Sequence, residues 1–263
     1  MLTRILTHKR EEIERLKREL PLGRLADECR LLSTPRPLAP ALRSSGRVAL
    51  IAEIKPASPA GGVLAPAADA GALARVYEAA GAAAVSVLTD AVFFGAGPEN
   101  LVRARRCTGL PLLHKEFVID PFQLYLSRRW GADAVLLIVA ALADGLLEEL
   151  MGRAAALGLS CLVEVHTPAE LEIALAAGAD LIAVNNRNLF TMEVDPETTF
   201  RLLPRIDRER VTVVSASGIT TRSQMERLAA HGVHAALVGT ALMRHPDPAR
   251  AIRELEGVEG DAG

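Results

Sequence analysis

From Val48 onward, short apolar and β-branched runs alternate with helical stretches eight times. The runs predict strands near 48–54, 83–88, 112–116, 134–138, 160–165, 181–185, 211–215 and 235–238. Helical periodicity fits near 68–80, 97–106, 121–130, 144–157, 168–177, 195–203, 221–230 and 246–256. Strands that alternate with helices, with no hairpin signal among them, imply a parallel sheet. Eight such units close into a barrel of roughly 250 residues, and the chain has 263. The expected fold is therefore a single α/β (βα)8 barrel. An open doubly wound sheet is the rival, but no G-x-G-x-x-G turn follows the first strand. A weak repeat supports closure. Gly81, Gly131, Gly178 and Gly232 each end a predicted helix and lead into strands two, four, six and eight. A left-handed residue is favoured at each of these helix ends, and two β-α units per repeat suit a ring of equivalent layers.

Residues 1–45 read differently, as a helical extension ahead of a catalytic barrel over 46–263. Leu6–Leu20 is dense in charge and reads as an exposed helix with Ile13, Leu16 and Leu20 on one stripe, which either covers the barrel and shapes its mouth or stands solvated. Pro21 stops it, and Ser33–Pro37 reads as a linker. The net charge of −2 gives no general attraction to nucleic acid or anionic membrane. The longest apolar run, Ala134–Ala143, is far short of the roughly 18–20 residues that span a bilayer. Arg4 and the charges after it leave no signal-peptide core. Cys29, Cys107 and Cys161 are odd in number and widely spaced, which suits a reducing cytosol rather than a disulfide framework or metal cluster. Four of the 30 basic residues are lysines, Lys9, Lys17, Lys55 and Lys115. A chain so committed to arginine keeps lysine where an ammonium that can give up a proton is needed.

In a barrel, catalytic groups sit at the C-terminal strand ends. Period-two alternation puts Glu53 and Lys55 on one face of strand one, Lys115 and Phe117 on strand three, and Glu164 and His166 on strand five. It puts Asn185 and Arg187 on strand six, and Val213, Ser215 and Ser217 on strand seven. Gly218 follows strand seven, and Gly239-Thr240 opens a short helical piece after strand eight. Such turns expose backbone N–H groups of the kind that hold phosphate. Any one acid or base has a bland reading as a structural ion pair. Five strand ends agreeing make a site the better reading.

These residues resemble indole-3-glycerol-phosphate synthases, and the resemblance covers nearly the whole chain. Ala52-Glu53-Ile54-Lys55-Pro56-Ala57-Ser58-Pro59 matches the first strand motif of that family. Val87-Leu88-Thr89-Asp90 with Phe93-Phe94-Gly95 matches the second, and Leu113-His114-Lys115-Glu116-Phe117 the third. Leu162-Val163-Glu164-Val165-His166 matches the fifth and Val184-Asn185-Asn186-Arg187-Asn188-Leu189 the sixth. Ser215-Ala216-Ser217-Gly218-Ile219 and Leu237-Val238-Gly239-Thr240-Ala241-Leu242-Met243 match the last two. There are two departures. Glu116 stands where the family has Asp, on the face away from Lys115, with little effect expected. Ala216 stands where the family has an active-site Glu in a supporting role, so a lower rate or altered pH dependence is expected.

The resemblance implies ring closure, decarboxylation and dehydration of 1-(2-carboxyphenylamino)-1-deoxyribulose 5-phosphate. It implies Lys115 as general acid, Glu164 as general base, and Lys55 holding an anion and sharing in proton transfer, with Glu53 orienting Lys55. Asn185 and Arg187 anchor oxygens of the substrate. Ser58, Ser217, Gly218, Gly239 and Thr240 are phosphate candidates, and Phe94 and Phe117 wall the aromatic ring. His166 is read as a supporting or structural histidine, because no second metal ligand stands at the right spacing. His8, His231, His234 and His245 read as surface positions, and Trp130 as a packing residue. No metal or organic cofactor is expected. The expected partner is a small phosphorylated molecule, with no nucleic acid, no membrane and no fused second enzyme. The competing readings are another phosphate-binding (βα)8 enzyme and a catalytically degenerate, ligand-binding paralogue.

Overall fold

The computed structural model describes residues 1–43, 47–59, 61–65 and 69–257. The expected boundary between residues 45 and 46, the helix start at residue 68 and the end of the barrel segment at 263 lie outside them. Eight parallel strands close into a barrel: Ala49–Ile54, Ala84–Leu88, Leu112–Lys115, Ala134–Ile138, Ser160–Val165, Leu181–Asn185, Thr212–Ala216 and Ala235–Val238. The last strand pairs with the first, Ala49 opposite Ala235 and Ala52 opposite Val238. Each expected helix is present within a few residues of its predicted bounds. Several of the helices start where a side chain satisfies their free N–H groups. Asp120 and Gln123 form a capping box ahead of Pro121–Arg129, as do Thr221 and Gln224 ahead of Arg222–Ala230. The four repeat glycines all have positive φ, between 71° and 102°.

Side chains of alternate residues fill the barrel. Ala49, Ile51, Ala84, Leu113, Ala134, Leu136, Leu162, Leu181, Ala183, Val214 and Leu237 form the inner cluster. A second, larger cluster lies between the strands and the outer helices. Strand seven departs from the expected face. Val214 and Ala216 point inward and Val213 outward. Ser215 turns outward too, where its hydroxyl bonds Thr199 Oγ1 at 2.8 Å and Asn186 Nδ2 at 3.2 Å. The alternation breaks at Ser217, whose φ of 70° lies in the left-handed region. Counting back from Ser217 in steps of two therefore selects the wrong face.

Ahead of the barrel stand three helices, α1 (Leu2–Glu19), α2 (Leu22–Arg30) and α3 (Leu38–Arg43). α1 is longer than expected and is not a solvated helix. Leu2, Ile5, Leu6, Lys9 and Ile13 are buried along one face. The 33–37 segment is irregular as expected, yet tied down: Arg128 donates to the Ser33 carbonyl at 2.8 Å, and the Arg36 N–H donates to Asp133 at 2.9 Å. α3 places Leu38 and Leu42 in the inner cluster beside the first residues of the strands, closing the bottom of the barrel. A small antiparallel hairpin, Ala57–Ser58 with Gly62–Val63, follows the first strand. Alternation predicts no hairpin there; its strands are only two residues each. Of the four histidines expected at the surface, only His231 is exposed, while His8, His234 and His245 are half-buried. Trp130 packs against the core and meets the His114 ring edge-on.

Candidate active site

A cavity of about 280 Å³ opens at the C-terminal ends of the strands, near the lower end of the range for small-molecule sites. Every residue expected at the site from the sequence lines it: Glu53, Lys55, Ser58, Phe94, Lys115, Phe117, Glu164, Asn185, Arg187, Ser217, Gly218, Gly239 and Thr240. Sequence reasoning misses several neighbours, Glu116 and Thr220 among them. Asp90, Leu189 and Met192 enter from the loops after strands two and six. Leu136 and Ile138 form part of the apolar floor, while Leu137 faces the outer helices.

The polar groups are paired in a definite order. Lys115 Nζ donates to Glu164 Oε2 at 3.0 Å, and Asn185 Nδ2 donates to Glu164 Oε1 at 2.9 Å. Lys55 Nζ lies 2.9 Å from Glu53 Oε1. Glu164 is fully buried. Burial alone would push its carboxyl up, but the Lys115 ammonium, His166 and the Asn185 amide outweigh it and hold the group below the ordinary carboxylate value. It is therefore ionised at neutral pH. Asn185 is itself fixed, since its side-chain oxygen accepts the Arg187 N–H at 3.0 Å. The Arg187 guanidinium donates to the Met192 carbonyl at 2.9 Å, and Met192 sits at φ 68°.

Two glycines are required by this packing. A Cβ on Gly239 would lie 2.4 Å from Glu53 Oε1 and 3.1 Å from Lys55 Nζ, and so would break that pair apart. Gly218 has φ 79°, and a Cβ there would meet Val194 at 2.7 Å. Backbone near the cavity is thus left uncovered at both turns, and Gly239 caps the short helix Thr240–Arg244. Phe94 and Phe117 lie 6.2 Å apart, ring centre to ring centre, on one wall.

Beside that wall lies a second ion cluster, whose Asp90 and Glu116 also line the cavity. Lys9 of α1 pairs with Glu12 at 2.6 Å, with Asp90 at 3.1 Å and with Glu116 at 3.1 Å. Asp90 caps the short helix Ala91–Phe94, accepting the Phe93 N–H at 2.7 Å. Glu116 also accepts the Thr89 hydroxyl and the Phe117 N–H, each at 2.8 Å. The family departure at Glu116 is thus far from idle: it bolts α1 to the loop that carries Phe117. Ala216, the other departure, faces the cavity with no carboxylate to offer.

A family model described as indole-3-glycerol phosphate synthase matches residues 2–255. The chain belongs to the indole-3-glycerol phosphate synthase family. Curated relatives that carry that description include one from Roseiflexus castenholzii, 46% identical over 264 residues, with 98% of each chain covered. One from Dehalococcoides mccartyi is 46% identical, covering 97% of this chain and 99% of the relative. One from Aromatoleum aromaticum is 43% identical, covering 98% and 99%. Solved structures of similar fold include 3-hexulose-6-phosphate synthase from Salmonella typhimurium, with TM-score 0.64 and 17% identity over 80% of this chain and 98% of that one. Another is thiamine phosphate pyrophosphorylase from Pyrococcus furiosus, with TM-score 0.59 and 16% identity over 81% and 95%. At those identities the likeness is one of fold alone.

Proposed function

We infer that the chain works as an indole-3-glycerol phosphate synthase, a carboxy-lyase of tryptophan biosynthesis, with its chemistry in the cavity at the strand ends. The observation that carries this reading is the Lys115–Glu164 pair, held at 3.0 Å on the cavity wall of a chain belonging to this family. The substrate is 1-(2-carboxyphenylamino)-1-deoxyribulose 5-phosphate. Its aryl carbon attacks the ketone carbon, and Lys115 gives a proton to the ketone oxygen as the new C–C bond forms. The ring carboxylate leaves as CO2, and its bonding electrons restore the aromatic ring. The hydroxyl then leaves as water, with an acid at its oxygen and Glu164 accepting the anilino proton; loss of a proton from the neighbouring methylene carbon and return of one to nitrogen complete the indole. Overall the reaction releases CO2 and water and takes up one proton, because an ionised carboxylate departs as a neutral molecule.

The remaining residues bind and orient. Lys55, fixed by Glu53, and Arg187 hold anionic oxygens, and Arg187 offers two N–H groups in a fork. Lys55 also shares in proton transfer. The Ser58 and Ser217 hydroxyls and the backbone at Gly218 and Gly239-Thr240 receive the phosphate. Phe94 and Phe117 flank the aromatic ring. The setting is cytoplasmic, consistent with three free cysteines. Among the described residues no helix is long and apolar enough to cross a membrane.

Ala216 is the one observation that favours a ligand-binding, non-catalytic reading. Purified protein given the substrate decides between them. Appearance of indole-3-glycerol phosphate with matching CO2 release supports the synthase. Substrate binding without turnover would overturn it in favour of the binding protein.

A further inference from the structure

Glu164 has a third neighbour that the reaction above leaves unused. His166 follows the fifth strand by one residue, and its Nε2 lies 3.6 Å from Glu164 Oε1. That nitrogen is shielded from solvent and has no hydrogen-bond partner. The other side of the ring is clamped. Nδ1 lies 3.0 Å from Glu170 Oε2, and the same oxygen accepts the His166 backbone N–H at 2.7 Å. Glu170 is held in turn by the Thr167 hydroxyl at 3.1 Å. An ionised carboxylate only accepts, so Nδ1 is the nitrogen that carries the proton. A neutral ring would then turn its Nε2 lone pair toward the oxygen of Glu164, acceptor against acceptor. A protonated ring turns an N–H toward it.

The charged groups acting on the ring are Glu170, Glu164 and Lys115. Burial disfavours the charged ring and Lys115 repels it. The two carboxylates outweigh both and hold the imidazole above its ordinary value. With His166 protonated, Lys115 and His166 balance Glu164 and Glu170, and the buried set is neutral. With His166 neutral, the set carries one uncompensated negative charge in a place where that is costly.

We propose that His166, oriented by Glu170, is a positioning residue for the base: its ring sets a positive charge 3.6 Å from Glu164 Oε1 and so holds that carboxylate ionised. It does not line the cavity and acts only through Glu164. The proposal rests on the reading of Glu164 as the general base.

The test compares pH profiles of kcat and KM for the parent, His166→Gln, Glu170→Gln and Glu164→Gln, with the substrate named above. Titration of the substrate's own phosphate is common to all four and cancels. His166→Gln removes a cation beside Glu164, so the acid limb of kcat moves to higher pH, by about half a unit or more for a charge at this distance. Well down the acid limb, activity drops about threefold relative to parent for each half unit of that shift, while at pH 8 kcat and KM stay within about twofold. Glu170→Gln moves the limb in the same direction, and the double variant moves it no further. Unchanged limbs, a uniform loss at all pH values or a rise in KM alone would overturn the proposal and leave His166 a packing residue. Glu164→Gln separates this inference from its foundation. If that variant keeps parental turnover, the base assignment itself fails; if it is inactive while His166→Gln keeps the parental profile, only the inference fails. Imidazole NMR on the parent supplies a readout that needs no His166 variant. One of the six histidines titrates above the ordinary value and shifts downward in both Glu170→Gln and Glu164→Gln. No such histidine would overturn the proposal.

Discussion

Lys9 and Lys115 are both held by carboxylates at about the same distance, 3.1 Å to Asp90 and Glu116 for one and 3.0 Å to Glu164 for the other. Their surroundings separate them. The Lys9 side chain is 3% exposed and surrounded by three acids, whereas that of Lys115 is 18% exposed and meets one acid beside an open cavity. Burial disfavours charge on Lys9, but Glu116, Asp90 and Glu12 outweigh it and raise the group above its ordinary value. That ammonium holds its proton more tightly than a free lysine does, and it does not line the cavity. Lys115 has one carboxylate partner and an open side on the cavity. A buried lysine is thus structural or chemical according to whether one face of it is left free.

The comparison breaks most sharply by removing each lysine in turn. Lys115→Ala loses about 10²–10⁴ in kcat, the usual worth of a positioned acid. Its fold survives, because Glu164 keeps Asn185; steady-state turnover beside a thermal melt checks both halves. Lys9→Met has the opposite signature. It leaves Asp90 and Glu116 buried without their cation and costs about 3–5 kcal/mol of stability, read from the denaturant midpoint. Turnover per folded molecule stays within about fivefold, a span of roughly 1 kcal/mol in the barrier.

A third prediction concerns the edge of the Lys9 cluster. His114 accepts or donates at 2.7 Å to Thr89 and 2.8 Å to Ser127, fully buried. Burial, and then the charge of Lys9, push it down to about 3. Its folded value therefore lies below its unfolded one, so between the two only the unfolded chain binds the proton. Stability is complete above the unfolded value and falls as pH drops through the window from about 6.5 to about 3, at up to about 1.4 kcal/mol per pH unit. His114→Gln flattens this slope in urea titrations at pH 7, 6 and 5; an unchanged slope would rule His114 out as the cause. The smallest effect is expected from Ala216→Glu, which returns a carboxylate to the cavity wall. It raises kcat by less than about tenfold, or 1.4 kcal/mol, and a fall in kcat would show that the cavity is adapted to alanine.

The barrel is legible because its signals are local and repeated: eight apolar runs, caps such as Asp120 and Thr221, and glycines at helix ends. The site is legible because inward residues at strand ends follow period two, and all the expected residues do line one cavity. What escapes depends on partners far apart in sequence or on one unusual dihedral. The charge density of α1 leaves a covering helix and a solvated one both open, since nothing near Lys9 shows that Asp90 and Glu116 await it. Strand seven reads onto the wrong face because Ser217 takes positive φ without being glycine. The hairpin at Ala57–Val63 is too short for alternation to reveal, although Gly61-Gly62 is a turn signal beside it. His166 shares the face of Glu164 as period two requires, but its clamp by Glu170 emerges only once the following helix is in place.

The central claim is that Lys115 and not Lys9 is the working ammonium. The most direct measurement follows CO2 release and indole-3-glycerol phosphate formation by the parent, Lys115→Ala and Lys9→Met, side by side at equal folded fraction. The account predicts turnover in the parent, near-parental turnover in Lys9→Met, and a loss of at least about 10² in Lys115→Ala. Lys115→Ala within a few-fold of the parent, or Lys9→Met losing as much as Lys115→Ala, would contradict it.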